Sequence, residues 1–203
     1  MKDLVGWVLL AGFVVFLTGA VGWRLEYERP LAESLPVISG DRRRRAWIHL
    51  WMIGAMFTTT AGLAGFATLP DTRSGGVLAV MAAAGYGLGA LCWVVSLAFR
   101  LTVVPWAAER AAAGSMPDGF PAFDAWAGSL YVIHMAASYA MFAVLGLAVL
   151  ESANLPHWLG WLGLASGLGF LAGFVATRFA GPFNPPILAH LYPGVLGVVL
   201  LVT

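Results

Sequence analysis

Residues 126–150 read WAGSLYVIHMAASYAMFAVLGLAVL, 25 positions without a charged side chain, closed by Asp124 before and Glu151 after. Crossing the roughly 30 Å hydrocarbon layer of a bilayer takes about 20 mostly apolar helical residues. The run is long and continuous, and rich in Ala, Leu and Gly, whereas a barrel strand would alternate. Five more stretches have the same character, at about 4–23, 46–69, 76–99, 158–177 and 186–202. All 10 Asp and Glu and all 11 Lys and Arg fall outside these cores or at their edges.

Composition agrees with that reading. The 203 residues are 60% hydrophobic and 10% charged, with a mean hydropathy of +0.84. Soluble domains run at about 45–50% apolar and about 25% charged. The expected fold is therefore an all-α integral membrane protein, one six-helix domain over residues 1–203. The single Cys92 excludes a disulfide scaffold. A net charge of +1 gives no electrostatic basis for a nucleic-acid partner.

Orientation follows from the cations. Nine of them, Arg24, Arg29, Arg42 to Arg45, Arg100, Arg110 and Arg178, lie in the connections after the first, third and fifth spans. The other side holds only Lys2 and Arg73. This predicts cytoplasmic loops at those three places, with both termini outside. The first span is too long for a signal-peptide core, and its positive charge follows rather than precedes it. Arg42–Arg45 is expected to anchor the second span to anionic headgroups, at about 1 kcal/mol per cation. A short interfacial helix is expected from Pro105, followed by a turn at Pro117-Asp118-Gly119. Ala, Gly and Arg usage suits a bacterial cytoplasmic membrane.

The chain also matches itself. His49 and His134 both open the pattern H-x5-A-M-F, at an offset of 85 residues. Each copy is followed by Leu-Pro and then by a Gly-Leu-Gly core, Gly87-Leu88-Gly89 and Gly167-Leu168-Gly169. Read as a duplication, the second–third and fourth–fifth spans are parallel repeats about an axis along the membrane normal. His49 and His134 then face each other at equal depth near the cytoplasmic side, with His190 at the same end. Pro193 frees the carbonyl of Ala189 beside His190.

Ionisable groups inside a membrane segment are candidates for function, because desolvation makes them costly. Two neutral imidazoles facing each other across a bundle can ligate a b-type haem, with propionates on Arg45, Arg100 and Arg178. His49 and His134 are the expected iron ligands, and His190 the substitute or neighbouring partner. Copper is the alternative: His49, Met52 and Met56 share one helix face, and soft thioethers with imidazole suit copper(I). Tyr131, His134 and Ser138 also share a face and suit a closed polar network. Thr58-Thr59-Thr60 is expected to bond back to its own helix.

Other chemistries lack their residues. There is no H-E-x-x-H, Walker loop, G-x-S-x-G, C-x-x-C or Rossmann glycine pattern. No carboxylate lies at mid-span, as a proton-coupled relay would require. The expected function is a membrane-embedded redox or electron-transfer subunit. Two other readings stay open: a cofactor-free accessory subunit of a larger complex, and a carrier for a small apolar solute. Its partners would be lipid and other membrane subunits or further copies of itself.

Overall fold

The computed structural model describes residues 1–203, of which 82% are helical and none are in strands. Seven α-helices follow one another: α1 (Lys2–Ala20), α2 (Leu31–Gly40), α3 (Arg42–Phe66), α4 (Arg73–Ala112), α5 (Phe120–Leu150), α6 (His157–Ala176) and α7 (Leu188–Val202). Short 3₁₀ turns at Leu25–Glu28 and Gly181–Phe183 complete the chain. α1, α4, α5 and α6 are each long and apolar enough to cross a membrane, which marks the chain as a membrane protein. α3 is 25 residues long but carries Arg42–Arg45, His49 and three threonines. α7 has 15 residues, about 22 Å of helix.

Sequential long helices run antiparallel, and small residues set how closely they approach. Along α1, Gly12 lies against Thr59 and Gly19 against the Ile48 carbonyl, so α3 descends as α1 rises. A Cβ at Gly146 in α5 would stand 2.6 Å from the Gly160 carbonyl in α6, and one at Gly167 in α6 the same distance from the Tyr139 carbonyl. Gly6 near the start of α1 meets Gly197 near the end of α7, bringing both chain termini to one end of the bundle. At that end the two short turns are tied together. Thr72 caps α4 and donates to the Glu151 carbonyl, Ser74 donates to the Glu151 carboxylate, and Asp71 accepts from the Ala153 amide.

One sequence expectation is corrected by the fold. The interfacial helix from Pro105 is no separate element: α4 runs unbroken for 40 residues, about 60 Å. Nothing between Arg100 and Pro105 stops a helix, since Leu-Thr-Val-Val continues it. Pro105 removes only one donor, the one that would bond the Leu101 carbonyl. The extension is buried along Val104, Ala107 and Ala108, where α2 packs against it with Leu35 and Ile38 inward.

The two H-x5-A-M-F copies are also presented differently. His49 is the eighth residue of α3, whereas His134 is the fifteenth of α5. Phe57 is 62% exposed and its counterpart Phe142 is 1% exposed. The copies differ in their place along the helix and in the exposure of their phenylalanines, so the repeat is not confirmed.

Candidate functional site

α1, α3, α4, α5 and α7 meet around two buried histidines. His134 on α5 stacks on Trp93 of α4, with ring centroids 4.8 Å apart and planes 17° from parallel. His190, the third residue of α7, stacks on Phe16 of α1 at 4.3 Å. The same Trp93 ring lies 6.5 Å from His190, so both imidazoles neighbour one indole. Tyr86 meets His134 edge-on at 5.9 Å and directs its hydroxyl to the Ala189 carbonyl at 3.5 Å. That is the carbonyl Pro193 deprives of its helical donor. All six residues of this centre are buried.

The nitrogens divide the same way in each ring. His134 Nδ1 has Ser138 Oγ at 3.4 Å, and His190 Nδ1 has Thr59 Oγ1 at 3.4 Å. The Nε2 atoms of both are buried and without a hydrogen-bond partner. Such a nitrogen normally costs about 1–3 kcal/mol of lost hydration. An imidazole held through one nitrogen, with the other unengaged, is also the arrangement by which histidine binds a metal.

His49 stands elsewhere. It precedes Thr59 by ten residues on α3, about 15 Å along the axis. Its Nδ1 lies 2.6 Å from the Arg45 carbonyl, and its ring is 6.4 Å from Trp23. A carbonyl only accepts, so Nδ1 carries the proton and Nε2 is a bare acceptor, again buried and unpartnered. His49 and His134 share no aromatic or hydrogen-bonding neighbour. The expected pairing is not what the fold brings together: His49 has Trp23 and the Arg45 carbonyl as neighbours, and His134 has Trp93, Tyr86 and Ser138.

The other sequence candidates separate as well. Arg45 is buried beside His49, its guanidinium 4.9 Å over the Tyr27 ring. Arg100 is half-buried, with Asp124 at 3.9 Å. Arg178 is exposed at the end of α6 in a left-handed conformation, φ 54°. Met52 and Met56 are buried on α3 with His49, while Met141, the motif counterpart of Met56, packs on Gly85 of α4. Thr58 bonds back to the Gly54 carbonyl as expected, but Thr59 turns to His190 instead.

Residues 4–203 match the family described as domain of unknown function DUF4386. The chain belongs to that family. No curated protein and no solved structure matches it. The DUF4386 match covers every helix, so the centre around Trp93 lies wholly within the family's domain.

Sequence reasoning did not single out Trp93, Tyr86 or Phe16. Aromatic residues in apolar runs read as packing, and only the fold shows that these three bracket two histidines. Chemically, the centre offers two imidazoles and a phenol. No group of three or more His, Cys, Asp or Glu is gathered anywhere in the chain. A macrocycle that brings its own equatorial ligands needs only two protein donors, and the buried Nε2 atoms of His134 and His190 are donors of that kind.

Proposed function

We propose that this chain is a membrane-embedded redox or electron-transfer subunit that holds a b-type haem through His134 and His190. The observation that carries the reading is the pair of buried imidazoles with unpartnered Nε2 atoms, both next to Trp93. Bound there, the haem would supply one-electron chemistry; the protein's part is to fix two rings and exclude water. Ser138 and Thr59 hold the Nδ1 sides, and Phe16 and Trp93 keep the surroundings apolar. In this reading α3 and α7 join the four long apolar helices as spans. The result is a six-span protein of the bacterial cytoplasmic membrane, with the arginine-rich loops inside and both termini outside.

A second reading has its own support. Phe16 and Trp93 already stack face to face on the two imidazoles, so the centre packs without any added group. A cofactor-free accessory subunit would need no more than this. Three variants of the purified full-length protein separate the two readings. His134→Gln and His190→Gln should each lose bound haem, by pyridine haemochrome assay, while His49→Gln retains it. A folded, haem-free wild-type protein, reconstituted with haemin and still binding none, would leave the accessory-subunit reading in place.

A further inference from the structure

The arginines that stand apart from the histidine centre form a site of their own. A cavity of about 260 Å³ opens where α3 begins and the α4 extension leaves the bundle. Arg42, Arg43 and Arg45 line it from α3, and Arg100 with Leu101 and Pro105 from α4. Liquid water takes about 30 Å³ per molecule, so a phosphate and several bridging waters fit this volume.

Four arginines line the cavity, and the nearby carboxylates do not balance them. Glu109 pairs with Arg42, and Asp124 lies at the long distance of 3.9 Å from Arg100. Asp41 is already engaged, accepting from Arg24 and from the Tyr27 hydroxyl, both at 2.8 Å. Arg43 and Arg45 have no carboxylate partner. Arg45 is the informative one. It is 3% exposed, it lines the cavity, and its Nε is buried without a hydrogen-bond partner. Tyr27 supplies a ring face, which takes up no N–H donor in its plane. A buried guanidinium without an anion is costly, and its planar fork of donors matches the oxygens of a phosphate.

We propose that Arg43, Arg45 and Arg100 form a binding site for one phosphate group. The group belongs either to an anionic phospholipid headgroup or to free inorganic phosphate. Arg42 and Arg43 open α3, so the positive end of that helix dipole lies beside the cavity they line.

Two probes on the detergent-purified, delipidated full-length protein test this. One is radiolabelled inorganic phosphate in equilibrium dialysis. The other is phosphatidylglycerol in an excess of phosphatidylcholine, counted by native mass spectrometry. At least one probe should bind saturably at one molecule per chain. Arg45→Gln or Arg43→Gln should each weaken it about tenfold or more, the loss of one charge-assisted hydrogen bond. Arg110→Gln, on the exposed face of the α4 extension, should leave it unchanged. Binding of the lipid alone assigns the headgroup, and binding of inorganic phosphate assigns the free anion. Arg43 is exposed, so its variant folds even where Arg45→Gln does not. Saturation by neither probe, or equal loss in Arg43→Gln and Arg110→Gln, would overturn the proposal.

Discussion

Trp93 is the residue on which the candidate centre turns, since its indole touches both histidines that the fold brings together. Trp93→Ala should lower thermal stability in detergent by the equivalent of about 3–5 kcal/mol, the usual cost of emptying a large aromatic site. The motif copies supply a sharper contrast. Phe142→Ala should cost about as much, while Phe57→Ala, on an exposed face, should shift the melting temperature little. Equal losses at the two positions would mean that they occupy equivalent sites after all. Tyr27 gives a pH prediction outside the apolar spans. Burial, helped by its hydrogen bond to Asp41, pushes the phenol up to about 12 from its ordinary 10. The folded state thus favours the neutral phenol. Its contribution to stability is complete below pH 10 and declines as pH rises from 10 to 12. Tyr27→Phe should remove that part of the alkaline slope in a melting-temperature series. The histidines themselves were legible in the sequence as rare ionisable groups in apolar runs. Which of them meet was not, because sequence position gives depth only if helix starts are known, and gives no facing at all.

The elements show where charge and proline mislead. Arg100 and Pro105 together suggested an interface and a fresh start, yet α4 passes through both. An interfacial arginine ends a hydrocarbon span without ending a helix, and tertiary packing of α2 compensates the single donor lost at Pro105. α2 itself lay unnoticed in the loop at 24–45, since ten residues containing Pro36 have too little periodic signal to stand out. Leu35 is its inward anchor, 1% exposed. Leu35→Asp would place an unpaired carboxylate in that seam and should release α2 from α4. Limited trypsin treatment in detergent should then cut at Arg42–Arg45 faster than in the wild type. An unchanged rate would show that α2 is held by something other than this packing.

At the scale of the molecule, hydropathy found every long helix to within a few residues at most ends, because bilayer thickness constrains length directly. The arrangement of helices is set by something less visible: glycines at close approaches, such as Gly6 against Gly197, and side chains such as Thr59 that turn away from their own helix. The termini share one end of the bundle, where Gly6 meets Gly197. With the arginine-rich loops proposed to be cytoplasmic, a carboxy-terminal alkaline phosphatase fusion, active only outside the cytoplasm, should be active, and the matching cytoplasmic reporter silent. The central claim, that His134 and His190 form a cofactor-binding centre, is met most directly by one spectrum. The full-length protein, purified from cells supplied with a haem precursor, should show a Soret band that sharpens and shifts on reduction with dithionite. A well-folded preparation with no absorbance beyond that of its tryptophans and tyrosines would contradict the claim.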